Sequence, residues 1–283
     1  MTPEQYCQDK AARSGSSFYY SFMALDEMRR RAIIALYAFC REVDDVVDRP
    51  GEEQVKAVKL QWWREEVSRL FNGQAWHPVT RALTPVIAEH DLPQEYFQEI
   101  IDGMEMDLQR QRYPDFASLN LYCYRVAGVV GLMAAEIFGY QDRRTLKYAR
   151  DLGTAFQLTN ILRDIHEDAR RGRLYLPLAD LRRFSVSEED ILAGRDSENF
   201  QRLMQFEYER AEQYYQRALE HLPREDRYRQ RCGLMMAAIY HAMLKKLAKH
   251  RFPVFRRRVR LSAPHKLWLA LRTWQRERRY RPA

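Results

Sequence analysis

At 283 residues, 46% of them hydrophobic and 30% charged, the chain has apolar side chains enough for a sizeable core, which excludes global disorder. Eleven glycines and eleven prolines leave few turns, favouring long helices over a many-stranded β fold. The net charge of +8 is unevenly placed: eleven Lys or Arg in residues 251–283 stand against the single acid Glu277, and the remainder is close to neutral.

Helical periodicity recurs along the chain. Residues 1–10 are polar and show no apolar leader. Residues 30–47 set Ile33, Leu36, Tyr37, Cys40, Val43 and Val47 at three- and four-residue spacing. Residues 53–71 repeat the pattern through Val58, Leu60, Trp62, Val67 and Leu70 and stop at Asn72-Gly73. Segments 93–111, 119–138, 144–166, 199–221 and 228–250 read the same way, with further breaks at Pro50-Gly51, Pro114, Gly139, Gly172, Pro177 and Pro223. Residues 174–197 are the least regular and read as a loop with a short helix. With no alternating strand pattern, repeat or low-complexity stretch, the expected fold is all-α: one helical domain over 1–250 and a basic helical appendage over 251–283.

No stretch reaches the roughly 20 apolar residues of a membrane span. Cys7, Cys40, Cys123 and Cys232 form no CxxC pair, so free thiols in a reducing compartment are expected. The expected location is cytoplasmic, at most peripheral to the inner membrane.

Asp44 and Asp48 of Asp44-Asp45-Val46-Val47-Asp48 lie four residues apart, so on a helix their carboxylates point the same way one turn apart. They continue the stripe of Tyr37, Cys40 and Arg41 on the apolar side, whereas a solvated acidic patch would take the opposite face. Unpartnered carboxylates there cost several kcal/mol, a cost that a bound cation removes. In a second motif Gln157, Asn160, Asp164 and Asp168 form one polar ridge on a helix otherwise built from Leu152, Ala155, Phe156, Leu158, Ile161, Leu162 and Ile165. Oxygen donors select a hard cation, Mg²⁺ above Ca²⁺ or Zn²⁺, with Mn²⁺ the substitute. Mg²⁺ completes its octahedron with waters and substrate phosphates, so a diphosphate between the two helices satisfies both motifs. Arg41, Arg163, Arg170, Arg171 and Arg173 stand ready to neutralise it. A lone Asp-x-x-x-Asp pair also suits a solvated helix face; two inward-facing pairs favour the cation site. Neither motif has the central glycine and terminal Glu of an EF-hand loop.

These segments resemble the squalene and phytoene synthase family, the head-to-head trans-prenyltransferases. The likeness is carried by Ser14-Gly15-Ser16-Ser17-Phe18-Tyr19, by residues 38–48 around the first motif, by Tyr122-Cys123-Tyr124-Arg125-Val126-Ala127-Gly128-Val129-Val130-Gly131, and by residues 157–177 from Gln157 to Pro177. Asp102-Gly103-Met104-Glu105-Met106-Asp107-Leu108, residues 233–240 and Lys266-Leu267-Trp268-Leu269 look closest to bacterial presqualene diphosphate synthases of hopanoid biosynthesis. The resemblance implies a prenyl-synthase helical bundle with a central cavity for two molecules of farnesyl diphosphate. It implies metal ligands at Asp44, Asp48, Asn160, Asp164 and Asp168, and diphosphate or substrate contacts at Arg41, Gln157, Arg163, Arg173, Tyr175, Ser14, Ser17 and Phe18. Tyr122, Arg41 and Tyr240 are the catalytic candidates. Some relatives carry His where this chain has Ser14, which is also a candidate helix N-cap.

The implied reaction gives presqualene diphosphate with no nicotinamide cofactor. Squalene, hydroxysqualene and phytoene or dehydrosqualene synthesis are the sibling alternatives, and a non-catalytic lipid-binding or assembly role is the alternative of another class. In the basic tail Leu267, Leu271 and Trp274 recur on one helical face amid Lys266, Arg272, Arg276, Arg278 and Arg279, a pattern suited to an anionic membrane or to a solvated basic helix packed on the domain. Nucleic acid is not an expected partner, since no reading motif accompanies the charge. Oligomeric state is left open.

Overall fold

The computed structural model describes residues 1–13, 21–109 and 112–281. Ser14, Ser17 and Phe18 lie outside the described residues. In chain order the long helices are α1 (Pro3–Arg13), α2 (Glu27–Asp48), α3 (Glu53–Phe71), α4 (Pro78–His90) and α5 (Gln94–Gln109). Next come α6 (Phe116–Cys123), a π turn (Tyr124–Gly128) and α7 (Val129–Phe138), which form one continuous rod. The central α8 (Arg144–Arg170) is followed by short α9 (Leu178–Arg183) and α10 (Glu188–Leu192), then α11 (Glu198–His221), α12 (Arg231–Lys249) and α13 (Ala263–Glu277). Among the described residues the sole β element is one isolated bridge, Arg112 with Leu174. The fold is all-α.

Sequence breaks become helix ends for identifiable reasons. Asp26 caps α2 by accepting the Arg29 N–H at 3.0 Å, and Pro50 follows the helix's last turn. At the end of α3, Gln74 N–H donates to Arg69 O and Gly73 N–H to Leu70 O, with Gly73 at φ +73°. The end of α8 repeats this Schellman pairing: Arg173 N–H to Asp168 O at 2.9 Å, Gly172 N–H to Ala169 O at 3.0 Å, and Gly172 at φ +78°. That turn folds Arg173 back towards the end of α2.

Helices α1 and α4 carry no strong sequence signal; α4 even contains Pro85. They are held by packing, α1 against α2, and α4 against α1 and α2. Two apolar clusters result, one around α2–α5 and one around α8, α11 and α12. The rod α6–α7 runs antiparallel to α8 with backbones in contact. A Cβ on Gly131 would meet Ala149 O at 2.3 Å, and one on Gly153 would meet Ala127 O at 2.4 Å.

Two expectations need correction. The rod 116–138 spans 23 residues and holds an 18-residue window with a mean hydropathy of 1.4, long and apolar enough to cross a membrane, although no such stretch was expected. Half of that window is buried, and its apolar character is accounted for by the face on α8 and by the cavity wall described below. In the tail, Trp274 does not share an exposed face with Leu267 and Leu271: it packs half-buried on the core, while Leu267, Trp268 and Leu271 are 52, 52 and 50% exposed. Residues 251–281 pack on the body: Val254, Val259, Leu261 and Ala270 are core residues. Glu277, fully buried, takes Arg227 at 2.8 and 2.9 Å.

Candidate active site

One face from each of four long elements encloses a cavity of about 790 Å³. α2 contributes Ile33, Leu36, Tyr37, Cys40, Arg41 and Asp44; α8 contributes Tyr148, Ala149, Leu152, Gly153, Phe156, Gln157, Asn160 and Arg163. Both sets follow helical spacing, so each is one face read along its helix. The rod α6–α7 adds a face from Val126 to Phe138, and α12 adds Gly233, Met236, Tyr240 and Met243. Polar residues gather at one end: Arg41, Asp44, Gln157, Asn160 and Arg163, joined by Arg258, Arg260 and Lys266 from the tail. The other end is almost wholly apolar. Such a cavity suits a molecule with an anionic head and a long hydrocarbon tail.

The acids at the polar end are poorly compensated. Asp44 is pushed up to about 7, first by burial and then, against the pull of Arg41, by Asp48 and Asp107. Its side chain, 35% exposed, stands on the cavity wall. Asp168 also rises to about 7 through burial and the neighbouring Asp164. Burial does not force this outcome. At Glu66, fully buried, it is outweighed by the Thr80 hydroxyl, the His77 and Trp76 N–H groups and Arg69, which hold that carboxyl below its ordinary value. Asp45 is likewise kept low, despite burial, by Lys10, Arg41 and Arg49. The motif Asp44-Asp45-Val46-Val47-Asp48 therefore divides into a structural acid, Asp45, held by three cations, and Asp44, left on the cavity wall with Arg41 alone beside it.

Arginines bridge the remaining acids. Arg41 donates to Asp44 at 3.0 Å, and Arg173, placed by the Gly172 turn, donates to Asp48 at 3.1 Å. Arg163 and Arg258 both pair with Asp164, and Arg258 also reaches Glu167 at 3.1 Å. Asn160 Oδ1 is buried with no hydrogen-bond partner. A hard divalent cation fits this set: oxygen donors only, one of them orphaned, and carboxyls whose charge burial opposes. Among the described residues no three His, Cys, Asp or Glu side chains gather closely enough to hold an ion alone, so substrate oxygens would have to complete its shell.

Beside the cavity a buried acid escaped the sequence reading as a site residue. Asp107 on α5 accepts the Tyr175 hydroxyl at 2.7 Å and the Tyr122 hydroxyl at 3.0 Å. Tyr122 and Tyr175 stack with centroids 5.1 Å apart, and Tyr113 stacks on Tyr175 at 5.8 Å. Burial pushes Asp107 up to about 6 against the opposing pull of Arg173 and the two hydroxyls. Asp107 stands electrostatically between the motifs, feeling Asp48 and being felt by Asp44 and Asp168. The signal available was a lone Asp between Met106 and Leu108 on an apolar helix face. Arg258, Arg260 and Lys266 were also missed as site residues, because the tail's charge drew attention to solvent and membrane.

Of the residues named from sequence, Arg41, Asp44, Gln157, Asn160, Arg163 and Tyr240 line the one cavity, Tyr240 with its ring 4.7 Å from Phe156. Asp48, Asp164, Asp168, Arg173, Tyr175 and Tyr122 lie outside the cavity lining. Arg173 and Asp48 pair with each other, and Tyr122 and Tyr175 meet at Asp107.

The squalene/phytoene synthase family model matches residues 11–265. Among curated proteins, 15-cis-phytoene synthase from Synechocystis is 36% identical over 96% of this chain and 84% of its own length. Among solved structures, a dehydrosqualene synthase crystallised with ligand superposes with a TM-score of 0.88 at 28% identity, covering 98% of this chain and 97% of the other. The squalene synthase HpnC from Alicyclobacillus acidocaldarius superposes at 0.79 and 28% identity, over 88% of this chain and 94% of the other.

Proposed function

The chain belongs to the squalene/phytoene synthase family, enzymes of head-to-head prenyl transfer, and from that membership we propose that it joins two farnesyl diphosphates into presqualene diphosphate. The observation that supports this most is a cavity of about 790 Å³, cationic and acidic at one end and apolar along its length. One C1–O bond of an allylic diphosphate breaks, and the C2–C3 double bond of the second molecule attacks the allyl cation. Loss of one proton closes a cyclopropane while the second diphosphate stays in place.

Arg41, Arg163, Arg258, Arg260 and Lys266 offer charge to the departing diphosphate. Asp44, Asp48, Asn160, Asp164 and Asp168 would hold Mg²⁺ or Mn²⁺, which when bound supplies Lewis-acid stabilisation of the leaving diphosphate. The apolar walls keep water from the cation, and the Phe156 and Tyr240 rings offer it π-faces rather than nucleophiles. Each of these tasks precedes any reduction, so the product needs no nicotinamide cofactor.

The identity to phytoene synthases favours a second reading, the same condensation on geranylgeranyl diphosphate. Purified protein incubated with Mg²⁺ and either diphosphate, followed by mass spectrometry of the product, separates the two. Absence of presqualene diphosphate from the farnesyl reaction would sink the first.

We infer also that Leu267, Trp268 and Leu271, exposed on α13 beside Arg272 and Arg276, rest on an anionic bilayer and bring the cavity to a lipid-tailed substrate. Lys266, which lines the polar mouth, is the residue just before this patch. Sedimentation with anionic and neutral vesicles tests it: Leu267→Asp with Leu271→Asp abolishes binding to the anionic ones, and equal binding by the variant refutes it.

A further inference from the structure

The closed end of the cavity is built differently from its walls. Along α8 the lining begins at Tyr148, reaches the candidate metal ligand Asn160 twelve residues later, a rise of about 18 Å, and ends at Arg163. Along α2 it runs from Ile33 to Asp44, about 16 Å. The antiparallel rod α6–α7 brings Phe138 to the same end as Tyr148, and Phe22 and Gly233 complete it. Two independent helices therefore give the same depth, and aromatic rings close it.

Tyr148 is 1% exposed, and its hydroxyl is buried with no hydrogen-bond partner. It is wedged against α12, where a Cβ on Gly233 would meet that hydroxyl at 2.8 Å. A phenol kept there with an unmet hydrogen bond gains nothing from its oxygen, so its contribution is bulk. An extended carbon chain advances about 1.3 Å per bond, so each four-bond isoprene unit takes about 5 Å. Measured from the candidate metal ligands Asn160 and Asp44, three units span about 15 Å and fit, whereas four span about 20 Å and meet the rings.

We propose that Tyr148, wedged against Gly233 at the closed end of the cavity, sets prenyl chain length by admitting three isoprene units and stopping a fourth. This rests on the head-to-head reading above and names the residue that decides between its two substrates. Tyr148 acts on the far end of the tail and touches none of the reacting atoms.

The test measures kcat/KM for farnesyl and geranylgeranyl diphosphate in wild type, Tyr148→Ala, Tyr148→Phe and Gly233→Ala, with circular dichroism as the fold control. Tyr148→Ala raises the C20:C15 ratio at least about tenfold, the scale on which an apolar pocket discriminates by size. Tyr148→Phe, which keeps the ring, leaves the ratio within about twofold, and Gly233→Ala, which takes up space at the same end, does not raise it. A folded Tyr148→Ala with an unchanged ratio overturns the proposal; if that variant does not fold, Tyr148→Leu is measured in its place. Wild type preferring C20 would overturn the farnesyl reading and the proposal together, whereas wild type preferring C15 with an unchanged ratio in folded Tyr148→Ala overturns the proposal alone.

Discussion

Replacing Asp107 with asparagine keeps the shape of the side chain and removes its charge. In the folded protein the carboxyl is pushed from 3.8 to about 6, chiefly by burial. A shift of about two units corresponds to about 3 kcal/mol. Between these values the folded state holds the proton and the unfolded state does not, so stability falls as pH rises from about 4 to about 6 and stays reduced above. The amide variant has no such titration. It offers one acceptor oxygen to the two tyrosine hydroxyls where the carboxylate offers two, a pH-independent loss of about 1 kcal/mol. Urea unfolding of wild type and Asp107→Asn, measured at pH 4 and pH 8, should therefore show the variant gaining on wild type by up to about 3 kcal/mol between the two pH values. Groups that titrate alike in both proteins cancel in the difference. A difference that stays flat within about 0.5 kcal/mol, the usual error of additivity, would show that Asp107 ionises as an ordinary carboxylate.

Asp44→Ala should lower kcat/KM by at least about 100-fold, as loss of a ligand does, yet leave the ligand-free protein no less stable at pH 8. The readout beyond activity is loss of the Mg²⁺-dependent thermal shift seen with inorganic diphosphate. Gly153→Ala should cost about 1–3 kcal/mol by overpacking, since its Cβ would lie 2.4 Å from Ala127 O; an unchanged melting temperature would contradict the helix contact. Glu277→Gln strands Arg227 and should cost about 3 kcal/mol, visible as a melting temperature roughly 10 °C lower; a change of only a degree or two would show the tail to be dispensable. Arg258→Ala should change stability by less than about 1 kcal/mol, because its pairs with Asp164 and Glu167 are part-exposed, while raising KM for the diphosphate substrate.

Helix class and most helix ends were legible in the sequence because they rest on local chemistry. The bounds 53–71 and the stop at Asn72-Gly73 match α3 and its Schellman turn, while the buried face is shifted from the expected one. Leu60, Val67 and Leu70 are buried, but Val58 is 70% exposed and Trp63 is buried in place of Trp62. The inward stripe of Asp44 and the ridge of Gln157, Asn160 and Asp164 were legible for the same reason, since spacing along one helix is a local property. Tertiary structure decided everything that depends on which helices meet. Asp45 stands next to Asp44, but only packing shows that Lys10 of α1 takes it while Asp44 is left to the cavity. The Asp107 cluster joins residues 107, 122 and 175, and no period links them. Arg258 looked like tail charge until the chain was seen to return past Asp164. A sequence shows the face a helix will bury, because periodicity writes it locally. The partner for that face, and with it the charge balance and depth of the cavity, is set by long-range packing that leaves no periodic mark.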